Sequence, residues 1–451
     1  VQKLETKLFG TDGIRGIVGE RITAGVVFRV GKALAVACRD NGTKSKIIVG
    51  RDTRTSGDML ESALCSGLTA FGADVVKLGI VPTPSLPYLI TKTGATAGIM
   101  ITASHNPPGH NGLKLFGSDG GKLPSDKELE IETIMANEER YLPNSYESLG
   151  NIHTDEDLLK LYADYILQKL GNVDLTGVRV YLDCSNGAAY RIAPYMFKTL
   201  GATVKTINAS SNGTLINVNC GSESPQELQK AVVKEKFDIG FAFDGDADRV
   251  VAVSGSGELV RGDELLYILA KELKKQNILA ENTVVGTVLT NFGLENALVK
   301  LGIKLERTPV GDKKIKDVMI KDGYSLGGEE AGHIILRDYN FTGDGVLTSL
   351  MITKILKTNH TGLEDEIKTI EKYPQIRIDV PVSDLVKSKV LKSTEVASSI
   401  EAAEAVLAEH GRVVVRPSGT ESVFRIMLEG ENMAQLRQLA KSIEAAVLKV
   451  K

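Results

Sequence analysis

Three stretches of the chain repeat one alternation of apolar and polar positions. They are KIIVGRDTRTSGDMLESALCSGLTAFGADVVKLG (46–79), VRVYLDCSNGAAYRIAPYMFKTLGATVKTIN (178–208) and TVVGTVLTNFGLENALVKLGIKLERTPVGD (283–312). Each opens on a β-branched apolar run, which predicts a buried strand. Each then passes polar or glycine turn residues and takes up helical spacing. A glycine follows (Gly72, Gly201, Gly302), and then a second apolar run. That glycine stands where a helix C-terminus is expected. A strand–helix–strand unit of this length predicts a right-handed parallel crossover. Three copies predict three related α/β domains. After IEKYPQIRIDVPVSD the rhythm changes. Amphipathic spacing around 398–409 and 433–448 predicts two helices, and RVVVRP and VFRIMLEG predict a strand pair between them. This reads as a small C-terminal α+β domain. The expected divisions are 1–152, 153–254, 255–370 and 371–451.

Four loops between these elements carry chemistry. TASHNPPGHNG (102–112) follows the small apolar run ATAGIMI, a predicted buried strand. Its prolines fix φ and cannot join a ladder, so Ser104 and His105 sit where a strand ends and a rigid loop begins. A plain Ser/Asn turn fits the stretch equally. FDGDADR (243–249) follows IGFAF and alternates Asp244, Asp246 and Asp248. In an extended loop, alternation points three carboxylates one way. Carboxylates so placed repel unless a cation lies among them, and hard oxygen ligands suit Mg²⁺ before Ca²⁺ or Mn²⁺. An EF-hand is excluded, because its sixth and twelfth positions hold Arg249 and Gly255 here. A solvated acidic turn and a phosphatase aspartate pair are the rival readings.

RPSGTES (416–422) offers Arg416, the hydroxyls of Ser418 and Thr420, and N–H groups around Gly419, with Arg425 on the next strand. That set suits a phosphate, although Ser-Gly-Thr is also an ordinary hairpin turn. GGEEAGHI (327–334) frees the backbone with glycines and presents Glu329, Glu330 and His333, a set that suits sugar hydroxyls or an amine. Walker A and GxGxxG patterns are missing, so nucleotide binding has little support. A cleft at a junction of domains would collect the four loops.

Composition narrows the class. A chain of 451 residues has room for several cores. A net charge of -3 gives no basic field for nucleic acid. Cys38, Cys65, Cys184 and Cys220 are scattered, which argues against a disulfide framework or zinc site and suits a reducing cytosol. No apolar run approaches the roughly 18 residues of a membrane span. The expectation is a cytoplasmic enzyme with neither membrane nor nucleic-acid partner.

With the four loops assembled, the chain resembles an α-D-phosphohexomutase, from FGTDGIRG at residue 9 to FRIMLEG at residue 430. TASHNPP, DGDADR, GGEEAGH and RPSGTE in that order are highly specific. NVNCGSESPQEL (217–228), VGDKKI (310–315) and NGLKLFGSDGGKL resemble the phosphoglucosamine mutase branch; the phosphomannomutase/phosphoglucomutase branch tends to a TGH-like motif where Val310-Gly311-Asp312 stands. The resemblance implies three α/β domains with mixed sheets and a mobile α+β domain around a central cleft. It implies a phosphoserine at Ser104 and one Mg²⁺ held by Asp244, Asp246, Asp248 and the Ser104 phosphate. Glu329 would read sugar hydroxyls. Residues 416–421 (Arg416, Ser418, Gly419, Thr420) with Arg425 would hold the substrate's non-reacting phosphate. Arg15, His105, Lys114 and Arg249 match positions near the transferred group, and Arg15, His105 and Lys114 are the acid/base candidates.

The implied reaction interconverts glucosamine 6-phosphate and glucosamine 1-phosphate through a sugar 1,6-bisphosphate. It would feed UDP-N-acetylglucosamine and cell-wall precursor synthesis. A homodimer is left open. Two departures stand out. Glu329-Glu330-Ala331 replaces the branch's usual Glu-Gln-Ser, and Pro108-Gly109-His110 replaces a different, often acidic ending. If Glu330 faces C2 of the sugar, its extra charge favours a protonated amine. A glucose or mannose phosphate mutase, a metal-dependent phosphatase and a non-catalytic sugar-phosphate sensor are the alternatives.

Overall fold

The computed structural model describes residues 8–10, 12–39, 44–418 and 422–450. The first domain holds β1 (Ile14–Ile17), α1 (Ala24–Ala37), β2 (Lys46–Arg51), α2 (Gly57–Ala70), β3 (Asp74–Ile80), α3 (Ser85–Thr93), β4 (Ala97–Ile101), β5 (His110–Gly117), α4 (Ser125–Ala136) and β6 (Ile152–Thr154). Its sheet runs β1-β5-β4-β2-β3-β6. The second holds α5 (Leu158–Leu170), β7 (Arg179–Asp183), α6 (Ala189–Thr199), β8 (Thr203–Ile207), α7 (Gln226–Glu235), β9 (Ile239–Phe243), β10 (Val250–Ser254) and β11 (Leu259–Val260), ordered β11-β10-β9-β7-β8. The third holds α8 (Gly262–Lys275), β12 (Thr283–Thr287), α9 (Phe292–Lys300), β13 (Lys304–Thr308), α10 (Asp312–Asp322), β14 (Leu326–Gly328), β15 (Ile334–Leu336), α11 (Gly345–Asn359) and α12 (Leu363–Ile367), ordered β13-β12-β14-β15.

The three predicted units appear as β2-α2-β3, β7-α6-β8 and β12-α9-β13, each parallel. Gly72, Gly201 and Gly302 take φ of 91°, 89° and 65° beyond their helices, where a Cβ would be strained. The repeat is longer than the sequence rhythm. A further helix (α3, α7, α10) returns each chain to a third parallel strand (β4, β9, β14) on the other side of the first. An antiparallel strand follows (β5, β10, β15), so the sheets are mixed. β6 and β11 extend the first two sheets a few residues past the expected divisions at 152 and 254. Both are short edge strands, and the three exposed residues of β6 carry no apolar pattern to read.

The last domain holds β16 (Gln375–Pro381), α13 (Asp384–Lys392), α14 (Thr394–Leu407), β17 (Gly411–Pro417), β18 (Val423–Gly430) and α15 (Met433–Lys449), with an antiparallel sheet β16-β18-β17. α14 begins before the expected residue 398 because Ser393 caps it, its side chain accepting from the Val396 N–H. One apolar cluster runs from Ile48 and Phe116 through Phe197 and Phe241 to Leu298 and Ile352, joining three domains. The last domain closes a core of its own around Val380, Ile426, Leu436 and Ile443. No helix among the described residues is long and apolar enough to cross a membrane.

Candidate active site

β4, β9 and β14 occupy equivalent places in the three repeats, and each delivers one of the expected loops at its C-terminal end. Residues 102–109 follow β4, residues 244–249 follow β9, and residues 329–333 follow β14. Ser104 is buried and takes φ 53°, a left-handed conformation rare for a residue with a side chain. Its hydroxyl donates to Asp244 Oδ2 at 2.6 Å. Gly245 lets the second loop come this close, because a Cβ there would lie 2.6 Å from the Ser104 carbonyl oxygen.

One buried arginine shapes the serine loop. Arg54 Nε donates to Asp52 Oδ2 at 3.0 Å, and its Nη atoms donate to the carbonyls of Ser104 (2.9 Å), Asn106 (2.7 Å), His110 (2.9 Å) and Pro107. From the second domain, Asn217 Nδ2 donates to the carbonyls of Ser104 at 2.8 Å and Asn106 at 3.1 Å. Sequence reasoning missed both residues. GRDTRTSG at the end of the first predicted strand was the available signal, since two arginines beside an aspartate at a strand end are unusual for a plain turn.

Asp244, Asp246 and Asp248 place ligand oxygens within 4.8 Å of one another. They converge through a turn, not the extended alternation expected. The Ala247 N–H donates to the Asp244 carbonyl at 3.1 Å, and Ala247 itself takes φ 58°. Thr83 Oγ1 donates to Asp246 Oδ2. Lys114 Nζ reaches Asp246 Oδ2 at 2.7 Å and Asp248 Oδ2 at 2.6 Å. The cluster is electrostatically split. Burial, then the charges of Asp248 and Asp246, push Asp244 well above the usual carboxylate range. Burial would also raise Asp248, but Lys114, His333 and Arg249 outweigh it and hold Asp248 well below that range. Asp246 Oδ1 and Asp248 Oδ1 are buried without a hydrogen-bond partner. Carboxylate oxygens left without a hydrogen bond on converging side chains fit a hard divalent cation.

Lys114 is held charged: burial would lower it, and its two carboxylate partners raise it further. His105 differs. Burial, then Arg249, lowers it to about 4, so it is uncharged near neutrality, and its Nδ1 has no partner.

Above these groups lies a cavity of ≈ 230 Å³ with walls from all four domains. Asp12 and Arg15 come from the first domain; Asp248 and Arg249 from the second; Gly311, Asp312, Glu329 and His333 from the third; Arg416, Ser418 and Arg425 from the last. Arg15 Nε and Arg249 Nε are buried without a hydrogen bond, and Arg249 Nε lies 3.9 Å from Asp248 Oδ1. Gly419 and Thr420 lie outside the described residues.

The three expected sugar-facing residues are placed differently. Glu330 Oε2 pairs with Arg377 Nη2 at 2.6 Å, so Glu330 faces the last domain. His333 is buried against the metal-side loop. The Gly343 N–H donates to its Nε2 at 3.0 Å, which leaves the ring proton on Nδ1, 3.9 Å from Asp248 Oδ1. Glu329 stays in the cavity wall, its Oε1 accepting from the Gly311 N–H at 3.1 Å.

Comparison with known proteins agrees with this geometry in chain order. Family models described as phosphoglucomutase/phosphomannomutase alpha/beta/alpha domains I, II and III match residues 6–142, 160–257 and 261–373, and the C-terminal domain model matches 378–446. A phosphoglucomutase/phosphomannomutase family protein from Burkholderia thailandensis superposes with a TM-score of 0.83 at 25% identity, over 98% of this chain and 97% of that one. Fold and cleft thus define a phosphohexomutase. Among curated relatives, the phosphoglucosamine mutase of Clostridioides difficile is 42% identical over 97% of this chain and 98% of its own length. That of Caldanaerobacter subterraneus is 45% identical over 97% and 98%. The chain belongs to the phosphoglucosamine mutase family.

Proposed function

We propose that the protein interconverts glucosamine 6-phosphate and glucosamine 1-phosphate through a phosphoserine at Ser104 and a glucosamine 1,6-bisphosphate intermediate. The observation that carries this reading is the Ser104 hydroxyl on Asp244 at 2.6 Å, beside a cavity ringed by arginines. A phosphorylated Ser104 could no longer donate to Asp244. The phosphate would then face the cluster of Asp244, Asp246 and Asp248, an arrangement that calls for a cation between them. Asp244, Asp246 and Asp248 would hold Mg²⁺, which when bound supplies a Lewis acid toward the phosphoryl oxygens.

In the forward direction the Oγ–P bond of phospho-Ser104 breaks as a P–O bond forms to the 1-hydroxyl. The hydroxyl proton passes to a base; of the candidates Arg15, His105 and Lys114, His105 is the uncharged one. The bisphosphate turns end for end. The P–O6 bond then breaks on return to Ser104 Oγ, and O6 regains a proton. One ester replaces another, and no water is consumed. Arg15 and Arg249 offset charge on the transferring oxygens. Arg416, Ser418 and Arg425 hold the phosphate that does not react, and Glu329 accepts hydrogen bonds from the sugar hydroxyls.

Side-by-side assays of glucosamine, glucose and mannose 6-phosphates test the reading, with Mg²⁺ and again after EDTA. The expected result is glucosamine 1-phosphate, with total phosphate ester conserved and activity lost on chelation. Release of inorganic phosphate would identify a phosphatase. Higher kcat/KM on glucose or mannose phosphate would identify the neighbouring mutase.

A further inference from the structure

The loop after β5 sends Lys122 across the cleft wall. Its Nζ lies 2.8 Å from Asp12 Oδ1 in its own domain and 2.5 Å from Asp312 Oδ2 in the third. Asp312 is the first residue of α10, and its Oδ1 accepts the Lys313 N–H at 2.7 Å. Gly311, just before it, takes φ 126°, a conformation that only glycine adopts readily. Such a residue samples many orientations unless its neighbours hold it. Among the described residues, the Gly311 N–H is the donor that Glu329 receives, at 3.1 Å. A chain of contacts therefore runs from the first domain to the sugar loop through Lys122, Asp312 and Gly311.

Stability does not explain this bridge. The first three domains already share one continuous apolar core. Partly exposed ion pairs add little to it, and Lys122, Asp12 and Asp312 remain 18%, 32% and 14% exposed. The bridge does stand at the wall where the substrate would lie, since Asp12, Gly311, Asp312 and Glu329 line the same cavity.

We propose that Lys122 is a positioning residue for sugar recognition: it pins the start of α10 to the first domain and so aims the Gly311 N–H at Glu329. The inference rests on the assignment of Glu329 to the sugar hydroxyls.

The test is a double-mutant cycle in the full chain with Lys122→Met, Glu329→Gln and both, on glucosamine 6-phosphate. Lys122→Met is expected to raise KM about 3- to 10-fold, a span typical of coupled residues, with kcat and the thermal midpoint near wild type. Lys122→Arg, whose fork can span both carboxylates, restores KM. The double variant is expected to be no worse than Glu329→Gln alone. Mere loss of a positive charge would act equally in both backgrounds, so additive losses overturn the proposal. So does a Lys122→Met enzyme with unchanged KM, or one that loses kcat and midpoint together. A Glu329→Gln enzyme with wild-type KM overturns the assignment of Glu329 itself, and the inference with it.

Discussion

The Ser104 carbonyl receives Arg54 at 2.9 Å from within its own domain and Asn217 at 2.8 Å from the next. These two donors hold a strained φ of 53° that would otherwise relax and carry the hydroxyl away from Asp244. Asn217 itself has φ 58°, so Asn217→Gly removes the side chain without straining the backbone. With two hydrogen bonds of about 1 kcal/mol each gone and Arg54 still in place, kcat is expected to fall about tenfold while the fold stays intact. Stopped-flow kinetics and circular dichroism check this, and an unchanged kcat contradicts the positioning. Glu330 makes a second case. Its pairing with Arg377 at 2.6 Å turns it from the sugar. Glu330→Gln is therefore expected to change kcat/KM for glucosamine and glucose 6-phosphates alike and by little, as for an exposed ion pair. Selective loss on the amino sugar would return Glu330 to the substrate. Ser104 and the three aspartates were legible because a hydroxyl at a strand end and alternating carboxylates are local patterns. Arg54 and Asn217 were not, because their roles depend on partners 50 and 113 positions away.

At the scale of elements, the rhythm at 46–79, 178–208 and 283–312 foretold three parallel crossovers. The return helices escaped it, and the apolar runs of β4 and β9 read as single buried strands without their place in the repeat. α7 and α10 bury only Leu228 and Val232, and Ile315 and Met319, too few to mark a helical face in a polar background. Had the repeat been followed to β4, β9 and β14, it would have placed the serine, metal and sugar loops at one equivalent position. Another element hides a strained acid. Asp263 lies in the first turn of α8, with Oδ2 accepting the Asn291 N–H at 2.7 Å and Oδ1 buried without a partner. Burial raises it; the Asn291 N–H pulls it back, and Glu330 and Glu429 push it up, to about 7. In the unfolded chain it titrates near its ordinary value of about 3.9. The folded state thus binds more protons between about pH 4 and 7, so stability falls as pH rises through that window and is level above it. Asp263→Asn keeps the acceptor and removes the charge. Its gain in thermal midpoint over wild type is expected to be small near pH 4.5, to grow to pH 7 and then to plateau. A gain independent of pH contradicts the account.

In the whole molecule, one shared core makes a single body of three domains, and the fourth meets that body through polar contacts. Glu429, fully buried, accepts the Phe292 N–H at 3.0 Å and Gln375 Nε2 at 2.9 Å on one oxygen, and Arg412 Nε at 2.7 Å on the other. Arg412 also donates to the Thr290 carbonyl. Hydrogen-bonded groups can exchange partners at less cost than an apolar core can open, which would suit the proposed reaction, in which the bisphosphate turns end for end. This junction was invisible in the sequence, where Glu429 and Arg412 look like solvated strand residues. The same domain carries Arg416, Ser418 and Arg425 into the cavity. Arg416→Ala is expected to raise KM for glucosamine 6-phosphate and glucosamine 1-phosphate similarly and more than it lowers kcat, because either phosphate in turn occupies that place. Steady-state kinetics in both directions check it, and an unchanged KM in both contradicts the clamp.

The central claim is that the phosphoryl group on Ser104 is the one the sugar receives. The direct measurement is a single turnover of enzyme radiolabelled at Ser104, mixed with excess unlabelled glucosamine 6-phosphate in Mg²⁺ and quenched at intervals. The expected result is label leaving the protein and appearing in the bisphosphate and then in sugar monophosphate, with none in inorganic phosphate, and no label taken up by Ser104→Ala. Label that stays on the protein while glucosamine 1-phosphate forms, or that emerges as inorganic phosphate, would contradict the account.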